Sequence, residues 1–189
     1  FTIFTEGKEK LKDFEEKIQE EIKDIIENED CEEIKLGDLC EIKASLGGTC
    51  LTQYYIKEGK YGFITGKNLN GNDNMIYIND EGYKICKNFT INHGDILVQE
   101  VYNEKSKSII VPHEWNNYVF KGSFRLYNFK VNNKYINKYI NSDYFKNIAL
   151  KLTTGSIFKH LSVSILKNIK IKIPKNKSII EALEPKFKQ

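Results

Sequence analysis

The sequence predicts an α+β fold, with a mixed, mostly antiparallel sheet flanked by long coiled-coil-like helices. Three observations carry this expectation. Apolar residues recur at helical spacing over residues 8–29 and again over 134–152. Between those segments lie short apolar runs of strand length, separated by Gly, Asn and Asp clusters. A final alternating run, Asn168–Ile173, ends at Pro174, which cannot extend a ladder.

The first helix places Leu11, Phe14, Ile18, Ile22 and Ile25 at steps of three and four, with Ile26 widening the stripe. Its other faces carry Glu and Lys: Asp13 attracts Lys17, whereas Lys8 with Lys12 and Glu16 with Glu20 repel. Such a narrow seam suits a partner helix or the helix's own domain, and the pattern does not choose between them. Asn28-Glu29-Asp30 ends it. Strands are expected over 34–43, 60–65, 75–79, 95–102, 107–112, 117–120 and 123–130. Gly47-Gly48, Asn70-Gly71-Asn72 and Asn79-Asp80-Glu81-Gly82 mark the connections. Ile136, Tyr139, Ile140, Tyr144, Ile148 and Leu152 give one helix over 134–152, and a shorter one spans Ser162–Lys167. Ile179, Ile180, Leu183 and Phe187 begin a last amphipathic helix that Pro185 would disturb.

A chain of 189 residues with 11 Phe and 11 Tyr can bury a core and suits one domain with an appendage. It opens on Phe1, as a piece of a longer protein would. No apolar run approaches the ~20 residues that cross a bilayer, no secretory leader is visible, and the expected compartment is the cytoplasm. Cys31, Cys40, Cys50 and Cys86 lack C-x-x-C spacing and read as free thiols in a reducing compartment, with no metal expected. The net charge of +3 conceals an asymmetry. Residues 1–33 hold 5 Lys against 13 Asp and Glu, leaving 24 Lys and Arg against 13 acidic residues in 34–189. A basic body suits a polyanion, because neutralising phosphates releases counterions; a Lys-rich solvated surface would look the same.

Catalytic chemistry finds no footing. An adenine methyltransferase needs an Asn/Asp-Pro-Pro-aromatic element, and Pro112, Pro174 and Pro185 are never adjacent. Neither G-x-G-x-x-G nor a Walker A loop occurs. Glu58-Gly59-Lys60 has a nuclease-like spacing, which Asp38 or Glu41 would have to complete, but Asp38 reads better as a turn or cap residue. His93, His113 and His160 stand without a Ser or Cys nucleophile motif. No catalytic residue is expected.

Four segments are candidates for binding. Thr154, Gly155, Ser156, Lys159 and His160 lie in a loop of hydroxyls, free backbone and cation that suits phosphate oxygens, or that simply connects two helices. Lys67 and Asn68 lie in a polar loop where Asn would reach an adenine edge, or where the chain only turns. Lys121, Ser123 and Arg125 surround the sole arginine, which forks onto guanine or phosphate, or forms an internal salt bridge. Lys43, Ser45, Tyr54 and Lys57 border a long excursion after the first strand.

Taken in order, Leu36-Gly37-Asp38, Gly47-Gly48-Thr49, Gly94-Asp95-Ile96-Leu97, Thr154-Gly155-Ser156, Leu161-Ser162 and the run from Leu166 to Pro174 resemble the target recognition domain of type I restriction-modification specificity subunits. The resemblance covers roughly residues 34–174. Cys50 departs from it, since family members often carry proline after the Gly-Gly-Thr.

The resemblance implies an N-terminal spacer helix over 1–33, a DNA target recognition domain over 34–174 and the start of a C-terminal spacer helix over 175–189. It implies sequence-specific recognition of double-stranded DNA without catalysis in this chain. S-adenosylmethionine would be bound by a methyltransferase subunit or fused domain, and the restriction subunit would be a further partner. The family usually carries two recognition domains on two long helices, so a single one implies a half-length subunit that pairs with itself through its helices, or a piece of something larger. A module fused behind an adenine methyltransferase, or a protein-interaction module with a basic face, are the alternatives.

Overall fold

The computed structural model describes residues 16, 17, 19–47, 51–71, 74–155 and 157–183. Leu11, Phe14, Ile18, Gly48, Thr49, Cys50, Asn72, Ser156, Pro185 and Phe187 lie outside the described residues.

Helix α1 covers residues 19–28 and leads directly into strand β1, Cys31–Lys35. β1 pairs antiparallel with the last strand, β10, Lys170–Pro174, from Cys31 opposite Pro174 to Lys35 opposite Lys170. The two ends of the domain are therefore zipped together. Lys175 donates its backbone N–H to the Asp30 carbonyl, and its ammonium lies 3.0 Å from the Asp30 carboxylate. The described part of the α1 seam, Ile22, Ile25 and Ile26, is buried in the same core as Ile180 and Leu183 of α8, Lys177–Leu183. These three residues pack on their own domain, while Leu11, Phe14 and Ile18 of the expected seam lie outside the described residues.

The expected strand 34–43 is two strands with a helical turn between them. Leu36–Leu39 forms α2, and β2 follows at Glu41–Ala44. Leu36 and Leu39 are both buried, a three-residue spacing that only a helical turn can place on one side. β2 joins a four-stranded sheet of order β2-β9-β6-β7, entirely antiparallel, with β6 at Ile96–Gln99, β7 at Ser108–Ile110 and β9 at Ser123–Tyr127. Every residue of β6 is buried. Ile96 and Val98 face the largest core while Leu97 faces another, so β6 reads as a continuous apolar run because both sheet faces are covered.

A second four-stranded sheet has the order β3-β5-β4-β8, from Tyr55–Ile56, Ile76–Ile78, Tyr61–Ile64 and Val119–Phe120. Its β4–β8 pair is parallel, which makes the fold mixed. It packs with α4, Asp80–Cys86, around Phe63, Ile78 and Cys86. The predicted turn at Asn79–Gly82 is the start of that helix: Asn79 accepts from the Gly82 N–H as its N-cap. Residues 66–69, read as loop, form the one-turn helix α3, Gly66–Leu69.

The helical stretch 134–152 is two helices, α5, Asn133–Asn141, and α6, Asp143–Leu152, broken at Ser142. The Ser142 hydroxyl accepts from the Phe145 N–H and starts α6, while Asn132 caps α5. A capping residue inside a continuous apolar period is what the periodicity alone concealed. Ser162 caps α7, Val163–Asn168, through the Ile165 N–H at 3.1 Å.

Candidate nucleic-acid interface

Hydrogen bonds, most of them between main-chain groups, join several distant segments into one rim. Gly122 donates to the Ser45 hydroxyl at 2.9 Å, and the Gly122 carbonyl accepts from the Glu100 N–H at 3.0 Å. Glu100 in turn accepts from the Leu161 N–H at 2.9 Å, and the Tyr102 N–H donates to the Lys159 carbonyl at 2.8 Å. Lys121 is held by its N–H to Ile64 at 2.9 Å, and Gln99 Nε2 donates to the Gly66 carbonyl at 2.8 Å, which ties α3 to the end of β6. Ser45, Lys121, Thr154, Lys159 and His160 are thus joined through one set of bonds, with Lys67 and Gly155 next in sequence to bonded residues, although up to 115 residues of chain separate them.

The loop 154–160 is closed at its base by paired bonds: the Thr154 N–H donates to the His160 carbonyl at 3.1 Å, and the His160 N–H to the Thr154 carbonyl at 2.8 Å. Gly155 sits at φ +109°, and a Cβ there would lie 2.1 Å from the Phe158 carbonyl oxygen, so only glycine fits this tight loop. Thr154, Gly155 and Lys159 are exposed, and His160 is half-buried with Nδ1 3.9 Å from the Glu100 carboxylate. Ser156 lies outside the described residues.

Other candidates are placed differently. Arg125 donates from Nε to Asp95 Oδ2 at 2.6 Å and from NH1 to the Thr90 carbonyl at 3.0 Å, with its guanidinium carbon 4.4 Å from the Tyr127 ring centroid. Both side chains of this pair are largely buried, so the salt bridge, one of the two readings open for Arg125, is the one formed. Asp95 also accepts from the Asn92 N–H at 2.7 Å, closing the turn before β6, where Gly94 adopts φ +88°. The Gly94-Asp95 motif is therefore a clasp between that turn and β9. Asn68 is occupied as the capping partner of Thr65, accepting from its N–H and hydroxyl while donating to the Asn74 carbonyl. Ser123 is fully buried opposite Gln99 in the β6–β9 pair. Neither Asn68 nor Ser123 presents a free polar group to a duplex in this conformation.

Lys43 donates to the Asn88 carbonyl at 2.6 Å and lies over the Phe89 ring. Tyr54 and Lys57 belong to the second sheet region, Tyr54 packing half-buried in its core and Lys57 standing exposed just beyond β3. The bonds that build the rim do not run through these two residues.

The carboxylates weighed for metal chemistry are scattered. Glu41 accepts from Asn128 at 2.6 Å, and bonds from Asn128 and the Tyr127 hydroxyl hold its carboxyl below the usual range. Among the described residues no three His, Cys, Asp or Glu side chains gather as a metal site. Cys31, Cys40 and Cys86 are free thiols, and burial pushes that of Cys40 up to about 12. No helix among the described residues is long and apolar enough to cross a membrane.

What the sequence did not single out is the tip of the 154–160 loop, where Ile157 is 85% and Phe158 66% exposed. A signal was present: two adjacent apolar residues between Gly155 and Lys159 fit neither helical nor strand spacing, so no element was available to bury them.

Residues 28–188 match the family described as type I restriction modification DNA specificity domain. The fold is similar to the HsdS subunit from Thermoanaerobacter tengcongensis, with a TM-score of 0.61 at 16% identity over 98% of this chain and 46% of that one. It is also similar to the type I restriction-modification system S subunit from M. genitalium, at a TM-score of 0.59 and 17% identity over 98% and 52%. The chain thus spans about half the length of these structures.

Proposed function

The chain belongs to the type I restriction modification DNA specificity domain family, and on that premise we propose that it reads the sequence of double-stranded DNA on behalf of a methyltransferase that performs the chemistry. The observation that carries this is the rim: Lys121 and Lys159 joined through hydrogen bonds with Ser45 and Thr154, and Lys67 beside the bonded Gly66, in a body whose basic residues outnumber its acidic ones. Ammonium and hydroxyl groups at such an edge set register on phosphates, and loop side chains then meet base edges. The closed base of the 154–160 loop supports a preorganised contact, because ordering a loop on binding costs free energy.

The proposed partners are methyltransferase subunits carrying S-adenosylmethionine and, in the wider complex, a restriction subunit; the proposed location is the cytoplasm. This chain has no catalytic role in the proposal. Self-pairing through the flanking helices is the proposed route to a second recognition domain, and it would use helix faces other than Ile22, Ile25 and Ile26, which are buried.

Selection from a random duplex library tests the reading. The expected result is enrichment of one motif, lost progressively as salt rises. Recovery of a pool as random as the input would overturn it.

A further inference from the structure

We propose that Ile157 and Phe158 form an apolar wedge that enters a groove of the duplex and unstacks a base step. The inference rests on the DNA-recognition reading and adds to it a class of contact that charge alone does not supply. These are the two most exposed large apolar side chains among the described residues, at 85% and 66%. Both sit at the tip of a loop that is fixed at its base. The Thr154–His160 pair closes it, the Tyr102 N–H holds Lys159, and the Glu100 carbonyl holds Leu161. Gly155 shapes the tip, since a side chain there would strike the Phe158 carbonyl.

Apolar side chains left in water on a loop bonded at its base are poised for a partner that desolvates them. The tip is narrow. A stable protein interface needs roughly 800 Å² per partner, far more than two side chains provide, whereas a wedge of this size is what parts stacked bases. Lys159 follows Phe158 directly, so a cation meets phosphate as the ring reaches the bases. Phe158 stacks on a base face; Ile157 fills the opened step.

The test uses a duplex selected by this chain, carrying 2-aminopurine at successive positions, because that base brightens when unstacked. Wild-type chain is expected to brighten one step. Phe158→Ala, an exposed change that leaves the core intact, is expected to abolish the brightening and weaken binding about tenfold, in line with the ~1–3 kcal/mol of base–aromatic stacking. Its salt slope is expected to match wild type, since no phosphate contact is removed. Gly155→Ala, which reshapes the mount while keeping both apolar residues, is expected to weaken binding in the same direction. Wild-type binding with no brightened position, or unchanged affinity in Phe158→Ala, overturns the wedge while leaving DNA recognition standing. Loss of methyltransferase copurification in Phe158→Ala with DNA affinity intact also overturns it, assigning the tip to a protein. A wild-type chain that binds no duplex overturns the DNA reading itself.

Discussion

Arg125 and Lys159 are both cations in segments that the sequence offers to DNA, and the fold treats them in opposite ways. Arg125 is drawn inward, its guanidinium divided between the Asp95 carboxylate and the Thr90 carbonyl. Lys159 is exposed, with only its backbone carbonyl committed, to the Tyr102 N–H. The lesson is that a residue's capacity to fork onto guanine also suits it to clasp a turn inside the protein. What separates the two outcomes is an acid delivered from elsewhere in the chain. Asp95 is 30 residues from Arg125 and meets it only after β6 and β9 pair.

The largest difference between the two cations is expected on their replacement, beginning with Arg125→Ala. Removing one partner of a buried pair leaves Asp95 uncompensated, and the expected loss is roughly 3 kcal/mol of stability, read from denaturant midpoints. Lys159→Ala is expected to leave those midpoints in place. If Arg125→Ala unfolded no more easily than Lys159→Ala, the clasp would carry no weight.

A second, smaller effect concerns protons. Burial lifts the Cys40 thiol from 9.0 to about 12, so the folded state holds its proton more tightly than the unfolded chain does. The stability this contributes is fully present below pH 9.0 and drains away as pH climbs towards about 12. The slope is at most ~1.4 kcal/mol per pH unit. Burial raises Tyr135 and Tyr139 as well, which adds to the loss at higher pH. Thermal midpoints of Cys40→Ala between pH 9 and 10 are expected to fall less steeply than those of wild type.

Smaller again, Ser162→Ala removes the N-cap of α7, beside the loop that carries Lys159. The expected destabilisation is ~1 kcal/mol. Because the loop is tied to Glu100 and Tyr102 rather than to this cap, duplex affinity measured well below the melting temperature is expected to stay unchanged.

How much of this was legible follows from the range over which each feature is determined. Strands 61–64, 76–78, 96–99, 108–110 and 123–127 fall inside the runs read from apolar length and turn residues, because those signals are local. The break at Ser142, the helical turn Leu36–Leu39 and the start of α4 at Asp80 were not, since each is decided by a side-chain cap or by which core a leucine meets. The motifs Leu36-Gly37-Asp38, Gly94-Asp95 and Leu161-Ser162 were visible as a set, yet their work is structural: a turn docked on Ile169, a clasp and a cap. The rim was legible only as separate polar loops. Nothing local announces that Ser45 meets Gly122, or that Gly66 meets Gln99. Asn68 and Ser123 show the converse, polar side chains whose partners or burial the sequence did not reveal.

The most direct test of the central claim is the salt dependence of affinity for a selected duplex, compared between wild type and a Lys67→Ala/Lys159→Ala double variant. If the rim grips phosphates, the logarithmic slope is expected to shallow by about one for each lysine removed, with stability unchanged. An identical slope in the two proteins would place the phosphate contacts elsewhere and contradict the account.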